Sequence, residues 1–274
     1  MRKSFFPGTT GIFALFFVPY IVTIIFNGAN TTLINKKFNV EMLLPVIVSS
    51  QIEDKYELET IKAQTIIARS NFYRTMKEEK NLAITLCQIK EEMEGKSLAC
   101  VILQNKYEKA VTETEGKVIV WNKELKLVPY HELSAGQTRD GMEVFHNEDD
   151  SYLRSVHSLV DKNYLNSVYI NKNVLPERIE IKSRDSAGYV TEILADGKVL
   201  EGEAFRKGMG LTSSNFTIQK SGKEIRFLCR GKGHGLGFSQ YGGNEMAKES
   251  ANAKEILQYY FPEMDVLNIK SVNC

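Results

Sequence analysis

The sequence predicts an α+β protein in which β-hairpins are bracketed by helices and preceded by an N-terminal transmembrane signal anchor. Three observations support this class: an uncharged run near the N-terminus, a helical repeat of apolar residues over 58–77, and paired apolar runs around turn residues. The 274 residues carry 35 Lys and Arg against 34 Asp and Glu. This balance argues against a duplex nucleic-acid binder, which usually needs a clear basic excess.

The first 30 residues are predicted to form a retained signal anchor. Arg2 and Lys3 precede an uncharged run over residues 11–26, and the following Asn27-Gly28-Ala29 is a poor cleavage site. A buried amphipathic helix is the less favoured alternative, because the run has no polar face. Positive charge before the run keeps the N-terminus in the cytoplasm. We therefore expect a single-pass protein of the cell membrane, with an anchor (1–30), a stalk (31–39) and an extracytoplasmic domain (40–274).

The rest of the chain divides into helical and hairpin segments. Leu58, Ile61, Ala68 and Phe72 recur at helical spacing and predict a helix that runs to about Lys77. Further helices are predicted around 90–94 and over about 244–260, the latter ending before a proline. Turn residues separate three predicted strand pairs, which are 118–121 with 125–130, 179–182 with 190–194, and 216–218 with 225–229.

The four cysteines indicate no metal site. Cys87, Cys100, Cys229 and Cys274 are widely spaced, so the pairs typical of zinc sites are missing from the sequence. An extracytoplasmic location permits a disulfide, but free or partly buried thiols are the favoured interpretation. No cofactor is predicted.

Residues 231–243 contain the strongest local signal. Six of these thirteen residues are glycine, and they surround His234, Phe238, Gln240 and Tyr241. Alternating glycines allow the backbone to approach a ligand closely. The pattern is neither a phosphate-binding loop nor a dinucleotide fingerprint, and the sequence lacks HExxH and GxSxG. A flexible hairpin is the alternative, although a linker is not expected to carry these side chains.

Three segments in order resemble the stage II sporulation protein D family. Residues 40–52 and 58–70 resemble its opening motif VEEYLPGVVASEMP followed by LKAQAVAARTY. Residues 131–138 resemble HASSGGxT, and residues 231–243 are similar to GRGxGHGVGMSQYGA. With weaker matches at 155–156 and 203–214, the resemblance covers most of residues 40–261.

The resemblance implies a membrane-anchored lytic transglycosylase that acts on cell-wall peptidoglycan during engulfment in sporulation. Its implied substrate is the glycan strand, after a partner amidase has removed the stem peptides, and its implied setting is a membrane engulfment complex. One carboxylic acid protonates the glycosidic oxygen, and the muramyl 6-hydroxyl attacks its own anomeric carbon to leave a 1,6-anhydro end. A single glutamate can serve as acid and then as base.

The sequence departs from the family at the catalytic position, where Gln51 replaces the glutamate. An amide cannot donate a proton, so most of an acid–base contribution of about 10²–10⁴-fold is expected to be lost. Three interpretations are open: Glu53 substitutes for the missing acid, the protein is a non-catalytic glycan-binding scaffold or amidase enhancer, or the glutamine is engineered. Enzyme activity is therefore left open.

The resemblance also implies an extended substrate groove. Lys62 and Arg69 match the motif, lie on one helix face and would orient the substrate or its carboxylates; a solvated cationic stripe is the alternative. The remaining residues of the groove are His131, Ser134, Thr138, His234, Ser239, Gln240 and Tyr241. Some relatives hold a metal at the histidine strand end with cysteines at six-residue steps. Those steps lead here to Gln137 and Glu143, so no zinc is predicted.

Overall fold

A computed structural model describes residues 40–79 and 105–272. The chain divides into two units, Met1–Met42 and Leu43–Cys274. Of the first unit, only the 3-10 turn Val40–Met42 is described. The predicted anchor, the stalk, the helix around 90–94 and three of the cysteines lie outside the described residues. Among the described helices, none combines the length and the apolar composition that crossing a membrane requires.

The second unit is an α+β domain, which confirms the predicted class. Its helices are α1 Leu44–Gln51, α2 Leu58–Glu79, α3 Asn105–Glu113, α4 Gly141–Phe145, α5 Gly202–Gly208, α6 Gln240–Lys248 and α7 Ala253–Tyr260. Its strands are β1 Lys117–Val120, β2 Tyr130–His131, β3 Leu165–Asn171, β4 Ile179–Arg184, β5 Val190–Ala195, β6 Lys198–Glu201, β7 Phe216–Ser221, β8 Glu224–Arg230, β9 Phe238–Ser239 and β10 Asp265–Asn268.

Helices α1 and α2 lie on either side of the sharp turn at residues 52–57. Pro45 stands in the first turn of α1, where its missing N–H costs no intrahelical bond. Helix α1 ends at Gln51 because Ile52 adopts an extended conformation. The Asn244 side chain accepts a hydrogen bond from the backbone N–H of Glu57 (2.7 Å) at the start of α2. The predicted helix over 58–77 is thus confirmed, and it extends to Glu79.

Four small sheets follow, and two of the predicted hairpins are confirmed. Strands β4, β5 and β6 form one antiparallel sheet, and β3, β8 and β7 form another. The third predicted hairpin is present only as a tight turn, with Trp121 paired to Glu124. Strand β1, before that turn, pairs with β10, and β2 pairs in parallel with β9. The prediction of a strand over 125–130 was therefore wrong except at its last residue.

The predicted helix over 244–260 is two helices. Ser250 adopts a left-handed conformation (φ 75°) just after α6, which ends the first helix. Asn252 then caps α7, and Glu255 reaches back to the Asn252 backbone N–H (2.9 Å). This reciprocal capping box satisfies exposed N–H groups at the start of the helix, so a new helix begins there.

Two of the apolar clusters among the described residues bear on the site. In one, Ile66 and Ile67 of α2 pack with Phe238 of β9 and with Ile256 and Leu257 of α7. The second core lies between the two three-stranded sheets and α5, and contains three mutually contacting rings from Phe205, Phe216 and Phe227. The first core fixes α2 against β9, and it therefore positions the segments that carry the family motifs.

Candidate functional site

The three motif segments, which are far apart in sequence, meet at one place. Strand β2 lies parallel to β9, with His131 opposite Ser239. The backbones of Leu133 and Lys232 exchange two hydrogen bonds (3.0 and 2.7 Å). The N–H of Tyr241 donates to the carbonyl of Glu132 (3.0 Å). The histidine segment and the glycine-rich segment are thereby fixed to each other along their length.

Three glutamines join this pair of segments to the end of α1. Gln64 Nε2 donates to Gln51 Oε1 (2.9 Å). Gln240 Nε2 donates both to the backbone carbonyl of Gln51 (2.9 Å) and to Gln64 Oε1 (3.1 Å). Gln64 and Gln240 are buried, whereas Gln51 is partly exposed. The residue at the expected catalytic position is therefore held in place and still faces the surface.

The rings of His131 and His234 meet edge to face, with ring centroids 5.7 Å apart. His131 Nδ1 donates to the carbonyl of Leu236 (2.9 Å), and His234 Nδ1 accepts from the N–H of the same residue (3.0 Å). Burial, reinforced by His234, lowers the pKa of His131 to about 3. Burial also lowers the pKa of His234. Both rings are therefore neutral at pH 7, and His131 is too buried to touch a ligand directly.

The close packing on His131 explains one of the glycines. Gly233 has φ +114°, and a Cβ at this position would lie 2.7 Å from His131 Cβ. Any larger residue would push the segment away from the histidine. The alternating glycines thus serve contact between the two motif segments, in addition to any approach to a ligand.

Ser134 and Ser239 are bound to a buried carboxylate that the sequence analysis missed. The Ser134 N–H (2.9 Å) and the Ser239 hydroxyl (2.7 Å) both donate to Asp161 Oδ2. Burial raises the pKa of Asp161, and the bonds from the two serines oppose this shift. Both serines and Thr138 are buried. These three predicted substrate contacts instead hold the loops that shape the site.

The position of Arg69 contradicts the prediction that this residue orients the substrate. Its guanidinium is fully buried and donates to Lys117 O (3.0 Å), Thr114 Oγ1 (3.3 Å) and Val111 O (3.4 Å). These acceptors belong to the end of α3 and the start of β1. Arg69 therefore cannot contact a glycan in this conformation, and it is not part of a solvated cationic stripe.

Lys62, like Arg69, faces helix α3. Its ammonium pairs with Glu59 (2.6 Å) and with Glu113 at the end of α3. The two cations do share a helix face, as the sequence predicted. That face meets α3, whereas Gln51 is bound through Gln64 on another side of the same helix.

The exposed rim of the site carries two carboxylates, each paired with a lysine, and the buried Tyr56 lies close to both. The Glu53 side chain is 61% exposed and pairs with Lys55 (2.8 Å), and the Glu132 side chain is 40% exposed and pairs with Lys232 (2.6 Å). Burial raises the pKa of Tyr56 to about 12, and the charges of Glu132 and Glu53 contribute in the same direction. The sequence did not lead us to predict Glu132 as a site residue. The available signal was a charged residue at a position where the motif HASSGGxT has alanine.

The positions considered for a metal are separated. Gln137 Nε2 donates to the Ser155 hydroxyl (2.8 Å), whereas Glu143 accepts from Ser186 (2.8 Å). Within residues 40–79 and 105–272, no three His, Cys, Asp or Glu side chains converge on one point. Cys229, the one cysteine in these ranges, is a buried free thiol. The absence of a cofactor stays a prediction.

Comparison with known proteins agrees with the motifs. The family described as Stage II sporulation protein matches residues 28–121. The chain is similar to Stage II sporulation protein D of Bacillus subtilis, with 28% identity over 242 residues, covering 78% of this chain and 70% of that protein. The protein of the same name in Bacillus amyloliquefaciens is 26% identical over 247 residues, covering 80% and 72%. An uncharacterized protein of Brachyspira hyodysenteriae is 24% identical over 283 residues, covering 95% and 73%.

Proposed function

Since the chain is related to the stage II sporulation protein D family, we propose that it is a sporulation protein that binds the glycan strands of peptidoglycan during engulfment. The observation that carries this proposal is the convergence of the three motif segments. Gln51, Glu132 and the consecutive pair Gln240 and Tyr241 are joined by direct hydrogen bonds, although they are up to 190 positions apart in the sequence. We propose the same membrane-anchored, extracytoplasmic location that the N-terminal sequence predicts.

The surface of the site suits a carbohydrate. Tyr241 is 36% exposed beside the buried glutamine cluster, and an exposed aromatic ring can pack against the apolar face of a sugar. Glu53, Glu132 and Lys232 surround it with groups that accept or donate hydrogen bonds. Polar groups at fixed positions around an apolar surface favour the binding of hydroxyl-rich ligands.

Lytic transglycosylase activity is the reaction that we propose for this site. The Gln51 side chain is an amide whose Oε1 accepts a hydrogen bond from Gln64, and an amide is too weak an acid to protonate a leaving group, so the family's own acid is lacking. Cleavage to 1,6-anhydro ends requires a carboxyl group from elsewhere in the site. The second candidate, a non-catalytic scaffold or amidase enhancer that works with a partner cell-wall amidase, is favoured by the same observation.

One experiment tests these candidates together. The full-length protein is incubated with amidase-treated sacculi, and both bound protein and anhydro-muropeptides are measured. Binding with anhydro products supports the transglycosylase, and binding without products supports the scaffold. Tyr241→Ala is expected to weaken binding about tenfold, which corresponds to the loss of about 1.4 kcal/mol. Tyr169→Ala, another exposed tyrosine but on β3, is the matched control and should bind normally. Failure of the unaltered protein to bind would refute the proposed function.

A further inference from the structure

One cluster of ionisable side chains beside Gln51 has no assigned role. We propose that Glu132 supplies the carboxyl group that glycan cleavage requires and that position 51 lacks. This inference rests on the proposed function, because it names the acid for that reaction. From the sequence alone, Glu53 was the one predicted replacement for the missing acid.

The backbone places Glu132 at the site. Its carbonyl accepts from the N–H of Tyr241 (3.0 Å), while the side chain of the preceding residue, Gln240, donates to the carbonyl of Gln51 (2.9 Å). Glu132 and Gln51 are therefore bound to consecutive residues at the start of α6. The Glu132 side chain is 40% exposed, so its carboxyl group is open to a ligand at this end of α6.

Tyr56 places a second polar group near Glu132. The residue is 5% exposed. Among charged neighbours Glu132 acts on it most strongly, followed by Glu53 and Asp161. Burial, together with these charges, raises the pKa of Tyr56 to about 12, so the hydroxyl remains protonated. The site therefore combines a carboxyl group with a neighbouring hydrogen-bond donor.

Glu132 is better positioned than Glu53 for this task. Glu53 is 61% exposed and pairs with Lys55, two residues away in the same turn. Glu132 follows a β-strand, and its neighbour Leu133 is paired with Lys232 through the backbone. A general acid must be held within hydrogen-bonding reach of the bond that it protonates, and a carboxyl on an ordered strand end meets this condition more readily than one on an exposed turn.

Lys232 holds the Glu132 carboxyl group in the free protein. Its ammonium lies 2.6 Å from Glu132, and this hydrogen bond raises the pKa of Lys232. A muramic acid without its stem peptide carries its own carboxylate, which competes for Lys232. Once Lys232 binds that carboxylate, the Glu132 side chain is released from the ion pair and can reach the glycosidic bond.

The reaction then balances without water. The Glu132 carboxyl gives its proton to the glycosidic oxygen, and the bond between this oxygen and the muramyl C1 breaks. The muramyl 6-hydroxyl oxygen bonds to C1, and its proton passes to the Glu132 carboxylate. Glu132 ends the cycle as it began, and the products are an anhydro-muramyl end and a free hydroxyl on the leaving sugar.

Paired variants of the full-length protein test this inference on amidase-treated sacculi. Glu132→Gln is expected to lower the rate of anhydro-end formation by about 10²–10⁴-fold while binding is retained. Glu53→Gln tests the competing acid. Glu180→Gln, on β4 in an exposed ion pair with Arg178, is the matched control and is expected to keep the rate within about threefold, because exposed ion pairs contribute little. The double variant Glu132→Gln/Gln51→Glu should recover activity, since it restores an acid at the family position. This recovery would show that Glu132→Gln had not simply unfolded the protein.

Lys232 acts as a positioning residue, and its test is a pH profile. The groups that face Glu132 are Lys232, Tyr56 and Glu53, with Asp161 and Tyr241 around the same phenol. A general acid must be protonated, so the rate falls as pH rises. Lys232→Gln removes the positive charge beside the proposed general acid, so the falling limb of kcat/KM should move to higher pH. A merely structural role for Lys232 would lower the profile without moving it.

The possible outcomes are distinct. Unchanged turnover in Glu132→Gln, or loss in Glu53→Gln alone, would overturn the inference. Binding by the unaltered protein without any anhydro product would also overturn it and would leave the proposed glycan binding intact. Absence of both binding and product would refute the proposed function itself.

Discussion

The burial of Arg69 gives a prediction that separates a structural role from the substrate-binding role expected from the sequence. Arg69→Met keeps most of the aliphatic stem but removes the guanidinium. The variant leaves the buried carbonyl of Val111 and the partly buried carbonyl of Lys117 without this donor. Hydrogen bonds to charged groups contribute about 1.5–3 kcal/mol each. Thr114 Oγ1 is less affected because it also donates to Ala110 O (2.7 Å).

The loss of charged hydrogen bonds to one buried and one partly buried acceptor corresponds to a loss of about 3–5 kcal/mol in the free energy of unfolding. For a domain of this size the midpoint of thermal unfolding should fall by about 6–15 °C. Urea unfolding of the full-length protein, followed by circular dichroism, measures the free-energy change.

Lys62→Met is the matched control, because Lys62 lies on the same face of α2 and also contacts the end of α3. Its ion pairs with Glu59 and Glu113 remain partly exposed. We expect it to lose about 1 kcal/mol or less. If Arg69→Met were no less stable than Lys62→Met and yet bound glycan about tenfold more weakly, the structural account of Arg69 would be wrong.

Three further variants test the packing of the site. Gly242→Ala would place a Cβ 2.1 Å from the buried Tyr260 hydroxyl, so we expect a loss of about 1–3 kcal/mol in urea unfolding. The pKa of His131 is lowered from 6.5 to about 3, so between these values the unfolded chain binds a proton that the folded chain does not, and stability falls as pH falls. His131→Asn should therefore show a smaller difference between urea midpoints at pH 7 and pH 5 than the unaltered protein. Arg139→Met leaves the buried Asp185 carboxylate without its 2.5 Å partner and should cost about 3–5 kcal/mol, whereas Arg178→Met, at an exposed pair, should be nearly neutral by the same measurement.

Local patterns predicted much of the fold. The helix over 58–77 has a strong apolar repeat, and the strands on either side of 185–188 and 221–222 have clear turn residues. The pairing of strands that are far apart in the chain could not be predicted from the sequence. Apolar residues 118–120 can pair with any complementary strand, and in the fold they meet β10 near the other end of the chain. Asn252 and Glu255 did carry the capping signal that divides the last helix, but the apolar repeat across it obscured the break.

For the site, too, local patterns could be predicted and tertiary contacts could not. The motifs predicted three segments of the site, and in the structure these segments lie together. Helical spacing placed Lys62 and Arg69 on one face, but spacing cannot tell whether a face meets solvent or another helix. Here α3, a short and highly charged segment, covers Arg69. Asp161 lies outside every motif, and only the tertiary structure reveals that it accepts bonds from Ser134 and Ser239.

Substitution of glutamine for glutamate at position 51 leaves the architecture of the site intact for a physical reason. Gln64 donates to Gln51 Oε1, and a carboxylate oxygen of the same shape would accept that bond equally well. Gln240 binds the backbone carbonyl of residue 51, which does not depend on the side chain. The glutamine cluster therefore stabilises the same loop arrangement with either residue. What changes is the supply of a proton. In the proposed reaction Glu132 provides it, and the hydrogen bond from the N–H of Tyr241 places Glu132 at the site without any rearrangement of the backbone. The exchange at position 51 thus affects proton transfer and not the geometry of the site.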